Sequence, residues 1–255
     1  MSEINEEVKQ QQLVTQTEAP MGFEDENDGD LIVPRVKIIN ALSPERKDKI
    51  ADEGDILNSL TKEKLNGKIF IPVFKFDNNI RWIPRDEGGG IACVSRDGKC
   101  GVPSDGSASL ICKSCGLNEF DNTKTGKEAQ PKCTKYFNFF GFFSGEPMPI
   151  ILSFAKTNYA EGKKLFSLAK VTMQNMWHFG YALEPKAMSK AGNDWFNVVV
   201  KANGKTTDDD REYGRMLYQA YRNQEFKFDE ENDVASDNSE PQATASADDV
   251  AKAEF

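Results

Sequence analysis

All five cysteines of this 255-residue chain lie between Cys93 and Cys133. Their spacing is Cys93-x6-Cys100-x11-Cys112-x2-Cys115-x17-Cys133. The run Cys112-Lys113-Ser114-Cys115-Gly116 is a zinc-knuckle pattern: two intervening residues let both sulfurs face one ion, and the glycine permits the tight turn behind them. A tetrahedral site needs two more ligands, and Cys133 with either Cys93 or Cys100 supplies them. Cys93 ends the run GGGIACVS, an expected strand and a rigid place for a ligand. Cys100 follows the Asp97-Gly98-Lys99 turn and precedes Gly101, which is also knuckle-like. The strand favours Cys93, but spacing alone leaves both open. The intervening Gly, Ser, Asp, Asn, Thr and Lys make no hydrophobic core, so one structural zinc ion would explain an ordered segment here. A redox Cys-x-x-Cys pair would prefer a βαβ context, which is missing. A catalytic zinc would need an open coordination position and a nearby base.

The second chemical feature is the run YFNFFGFF, residues 136–143. As a strand it places Phe137, Phe139 and Phe143 on one face and Tyr136, Phe140 and Phe142 on the other. One set fills the core. The other is either covered by a helix or forms a platform for stacking single-stranded bases. Lys132 and Lys135 precede this run, and Lys156, Lys163 and Lys164 follow it. Lysine outnumbers arginine 24 to 8, which suits phosphate neutralisation better than bidentate base reading.

The net charge of −9 conceals a division along the chain. Residues 1–30 and residues 229–255 each hold nine acids against a single lysine, whereas residues 31–228 hold 30 bases against 23 acids. A basic body between two acidic arms points to a polyanionic partner. Both arms are polar and poor in aromatics, and are expected to be disordered.

Alternation predicts strands over 31–39, 68–76, 79–84, 136–143, 148–154, 176–184 and 194–202. Asp77-Asn78 reads as a turn, and KAMSKAGN as a basic hairpin loop. One helix is expected from an Asn158–Glu161 capping box before Leu165, Leu168 and Ala169. A second is expected after Thr207-Asp208-Asp209-Asp210, with Tyr213, Met216, Leu217, Ala220 and Tyr221 on one face. The expected fold is mainly β with minor α: an OB-like antiparallel barrel over 31–228, with a zinc module at 93–133 and a closing C-terminal helix. A β-sandwich would carry the same pattern.

The segments LIVPRVKIINALSPE, ADEGDILNS, RWIPRDEGGGIACVSRDGKCG, CKSC and PKCTKYFNFFGFF resemble a group of tailed-phage proteins, strand-rich with a cysteine cluster. The resemblance covers about residues 31–200. In that group the position matching Cys100 is commonly not a cysteine, which implies Cys93, Cys112, Cys115 and Cys133 as the ligand set. The C-terminal arm, ending Ala253-Glu254-Phe255, resembles the tails of bacterial and phage single-stranded DNA-binding proteins. There the final aromatic and its carboxylate dock on replication partners while the acids compete with DNA.

Enzymatic signatures are missing. The single histidine, His178, reads as a half-buried strand residue; Gly88-Gly89-Gly90 lacks the Lys-Ser/Thr of a phosphate loop. No apolar run approaches a membrane span, and the N-terminus lacks a signal-peptide pattern. The expectation is a non-catalytic, phage-type single-stranded DNA-binding protein of the (host) cytoplasm, acting in replication or recombination. It would use Lys132, Lys135, Lys156, Lys163 and Lys164 for phosphates and Tyr136, Phe140 or Phe142 for bases. Glu254 and Phe255 would engage a replication or transcription protein. Alternatives are a zinc-bearing adaptor or transcription factor that engages a polymerase, and a virion or assembly protein.

Overall fold

The computed structural model describes residues 32–84, 87–120, 122–125, 129–190, 192–224 and 226. Both acidic arms, with Glu254 and Phe255, lie outside them. Every secondary-structure element among the described residues falls in the unit Val33–Phe255.

The sheet is organised by one long strand, β3, Ile69–Trp82. The sequence predicts two strands here, broken at Asp77-Asn78, but the strand runs through. Lys75 Nζ lies 2.6 Å from Asp77 Oδ2, Asn78 donates to the Arg96 carbonyl at 3.0 Å, and Asn138 donates to Asn78 Oδ1 at 2.5 Å. The turn-like pair is thus held inside the sheet: Asn78 is hydrogen-bonded through both its amide groups and Asp77 through Oδ2, while Asp77 Oδ1 is buried without a hydrogen-bond partner. Pro72 lies where the register shifts, between Pro72 and Phe74, a place that tolerates a missing N–H.

Further strands are β1 Val36–Ile38, β2 Ile56–Asn58, β4 Ile91–Ser95, β5 Cys100–Pro103 and β6 Leu110–Ile111. The remaining four are β7 Cys133–Phe143, β8 Pro149–Ala155, β9 Phe179–Lys190 and β10 Asn193–Lys205. Along one edge β3 pairs with β7 from Phe70↔Phe143 to Arg81↔Cys133, and β7 pairs with β8. The opposite edge is divided: Ile69 and Phe70 pair with β9, while Asn79 to Trp82 pair with β4. The sheet therefore forks, toward β10 at one end and toward β5 and β6 at the other. All these pairings are antiparallel. Among the described residues β6, β8 and β10 do not pair with one another, so the expected barrel is not closed. β1 and β2 form a separate ribbon. The segment expected as a basic hairpin loop is largely strand, with Lys186 and Lys190 on β9.

Helices α1 Pro44–Lys47 and α2 Cys112–Cys115 are single turns; α3 Tyr159–Val171 and α4 Asp208–Tyr221 are longer. α3 packs Leu165 and Ala169 on the face holding Phe137, Phe139 and Phe143. Its expected capping box is not formed. A 3₁₀ turn, Lys156–Asn158, leads into the helix, and Glu161 instead accepts from the Val200 N–H at 3.0 Å and from Lys164 at 3.1 Å. A capping box forms instead at Thr207 and Asp210, where it opens α4. That helix covers the other face, where Leu217, Tyr213 and Tyr221 meet Phe140 and Phe142. Met216, expected on this apolar side, is about half exposed, at 48%. His178 ends a 3₁₀ turn, Met176–His178, rather than lying in a strand.

Candidate metal centre

Three adjacent strands align Cys133, Arg81 and Cys93 in one cross-strand row, with Arg81 paired to Cys133 on β7 and to Cys93 on β4. Directly opposed residues project to the same face, so both thiols flank the Arg81 side chain. The next strand continues the row, Cys93↔Pro103. Alternation along β5 then puts Gly101 on the side of Pro103 and turns Cys100 to the other side. Accordingly Gly101 is buried and Cys100 exposed.

The other two thiols arrive on α2. Its N-terminal end is tied to the residue just before β5 by the Cys112 N–H donating to the Lys99 carbonyl at 2.7 Å. Gly116 ends it with φ +69°, so the tight turn expected behind the thiols is made in the left-handed region. The Cys133 N–H donates to the Leu117 carbonyl at 2.9 Å, tying this turn to the start of β7.

Cys93, Cys112, Cys115 and Cys133 line one cavity of about 320 Å³, together with Arg81 and Asp105. Cys100 is not on its wall. Gly101 is the close approach: a Cβ there would lie 2.8 Å from Cys93 Sγ and 3.7 Å from Cys112 Sγ. Any side chain would occupy the space of a sulfur. Beside Cys100, Gly101 reads as a knuckle glycine, but in the structure its bare backbone makes room for the sulfur of Cys93. Arg81 was not singled out, because only the strand register reveals its place between two cysteines.

Burial, then the neighbouring Cys112, Cys93 and Cys115, push the Cys133 thiol up to about 12. Burial, then Cys112 and Cys115, also raise Cys93, with Arg81 acting in the opposite sense. These are the effects expected where thiols crowd together at a wall whose deepest member, Cys133, is poorly solvated and whose outermost, Cys115, is exposed. Among the described residues no three Cys, His, Asp or Glu side chains form a ready-made metal-binding group. The fit is therefore one of donors: four sulfurs on one wall match structural zinc in number and kind, and tetrahedral closure would need side-chain movement.

The lysines expected at phosphates, Lys132, Lys135, Lys156, Lys163 and Lys164, are all exposed. The aromatics expected at bases are not available. Phe140 and Phe142 are fully buried and Tyr136 nearly so. Phe226 stacks on Phe140 at 5.1 Å, and Tyr213 of α4 packs edge-on against Phe142 at 4.9 Å. The Tyr136 hydroxyl lies 3.4 Å from Trp82 Nε1. The stacking platform expected on this strand is thus a second core, because α4 and Phe226 cover the face a base would need.

The fold and site define a strand-rich antiparallel domain with a thiol-lined module at one end of its central strand. The chain belongs to the Pam3 phage gp34-like protein family, whose model matches residues 5–227. No curated protein and no solved structure matches it. No helix among the described residues is long and apolar enough to cross a membrane.

Proposed function

We propose that this phage protein is a non-catalytic single-stranded DNA-binding protein that acts in phage DNA replication or recombination. In this reading Cys93, Cys112, Cys115 and Cys133 hold one structural zinc ion, and a basic surface follows the phosphate backbone. The supporting observation is the charge division of the chain. Residues 31–228 carry the basic excess, and all five lysines named for phosphate contact stand at the surface. Within α3 the single acid, Glu161, is offset by Lys164 at 3.1 Å, so Lys163 and Lys170 supply the helix's remaining positive charge.

The test is a fluorescence anisotropy titration of labelled oligonucleotides with the purified, metal-analysed protein. Single strands should bind with little base preference, and log K should fall linearly with log salt by ~0.7 per phosphate contacted. The protein should carry about one zinc per chain, retained in Cys100→Ser and lost in Cys112→Ser. No binding at low salt, or duplex bound as tightly as single strand, would overturn the DNA reading. Full metal retention without Cys93 would overturn the ligand set.

A further inference from the structure

On α3 the residues Tyr159, Lys163, Phe166 and Lys170 recur at i, i+4, i+7 and i+11, which places them in one stripe along the helix. The stripe runs beside the buried line of Gly162, Leu165 and Ala169 and is itself half-exposed at the rings and exposed at the lysines.

Within the stripe one arrangement occurs twice. Lys163 Nζ sits 5.1 Å from the centre of the Tyr159 ring, and Lys135 of β7 reaches the same ring at 5.9 Å. One heptad on, Lys170 Nζ sits 5.6 Å from the Phe166 ring, and Lys75 of β3 reaches that ring at 5.7 Å. Each station is therefore one aromatic ring with one lysine from the helix and one from the sheet. Seven residues of helix separate the stations by ~10 Å. Both rings rest edge-on against Phe137, at 5.6 Å and 5.9 Å. Lys75 is fixed over Phe137 at 4.1 Å and braced by Asp77 at 2.6 Å.

We propose that these two stations are the contact surface for single-stranded nucleic acid, with Tyr159 and Phe166 meeting bases and Lys135, Lys163 and Lys170 meeting phosphates. This rests on the DNA-binding reading above and replaces the buried rings of β7 with accessible ones. Charge complementarity and repetition select the occupant. A repeated pairing of ring and cation matches a linear polymer that alternates flat π-faces with negative charges. Ammonium groups held near rings lose little further freedom when a phosphate arrives.

The test uses the full chain and a labelled oligodeoxythymidine of about 16 nucleotides. Lys163→Glu with Lys170→Glu should weaken binding at least about tenfold at low salt and lower the salt slope by about 1–2. Tyr159→Leu with Phe166→Leu keeps apolar bulk on the core; it should weaken binding about tenfold while leaving the salt slope unchanged. Lys186→Glu with Lys190→Glu, on β9, is the control and should change affinity by no more than about twofold. Circular dichroism and thermal melts establish that each variant is folded. An equal loss in the β9 variant would show diffuse attraction and overturn the stripe. Polyglutamate competing as well as unlabelled oligonucleotide would overturn the role of the rings. A wild-type protein that binds no single strand would remove the parent reading along with this one, whereas wild-type binding with unaffected stripe variants would overturn the stripe alone.

Discussion

Glu45 is a carboxylate at 4% exposure beside Lys37 at 6%, and Lys37 Nζ stands 2.9 Å from both of its oxygens. Lys62 adds a third member at 3.1 Å. Burial pushes the Glu45 carboxyl up, but hydrogen bonds from Lys37 and Lys62 more than offset this and hold it below its ordinary 4.5. A depressed folded-state value contributes stability that is complete above the unfolded value and is lost as pH falls through the folded one. Glu45→Gln leaves the Lys37 charge buried without its counter-ion, which should destabilise the fold by roughly 3 kcal/mol at pH 7. Urea denaturation should show that gap narrowing below about pH 4 as the wild-type carboxyl is itself protonated. A gap that stays constant down to pH 3 would show that the pair contributes packing rather than charge. Sequence reading is strongest and weakest at this same scale. Cysteine spacing marked Cys112, Cys115 and Cys133, because ligand geometry is written in local separations, but it left Cys93 and Cys100 both open. Only the strand alternation that turns Cys100 away decides which of them reaches the cavity. Spacing gave no sign of Arg81 between Cys93 and Cys133, nor of Lys37 with Glu45, because both depend on which residues the fold brings face to face.

Among the elements, α4 decides what the second face of the sheet does. Its start was legible in the run Thr207-Asp208-Asp209-Asp210, since N-terminal capping is local, although the reciprocal box itself emerges only in the structure. The division of aromatics on β7 was equally legible, since strand alternation is local. Whether Phe140 and Phe142 would be covered was not legible, because that depends on where a helix some 70 residues later comes to rest. Gly214 shows how closely it rests: an added Cβ would lie 2.6 Å from Trp177 Cβ. Gly214→Ala improves intrinsic helix propensity by ~1 kcal/mol, but overpacking typically costs ~1–3 kcal/mol. The clash is with the root of a side chain at 9% exposure, which has little room to yield, so overpacking should win. The urea midpoint of Gly214→Ala should fall, by about 1 kcal/mol in stability. A raised midpoint would mean that α4 slides freely over the sheet. The break expected at Asp77-Asn78 failed for a related reason. Turn-forming side chains are ambiguous until their partners, here Arg96, Asn138 and Lys75, are known.

For the whole molecule the argument is one of charge and tethering. Residues 229–255 are strongly acidic, and removing them changes the net charge from −9 to −1. A polyanionic segment joined covalently to a basic domain competes with any external polyanion at high effective concentration. Affinity for single-stranded DNA should therefore rise on deletion, most at low salt, since the competition is screened beyond ~10 Å at 0.1 M. Lys163→Glu with Lys170→Glu should reduce the gain, because the arm and the DNA would then be competing for a surface already lost. Deleting Phe255 alone removes no side-chain charge and should leave DNA affinity unchanged, while weakening capture of a replication or transcription protein. The measurements are salt-dependent titrations of the full chain, the deletion and the combined variant. An adaptor whose acidic arm is its working part should lose activity on the same deletion with no gain in DNA affinity. That result would move the function away from the basic surface and into the arm.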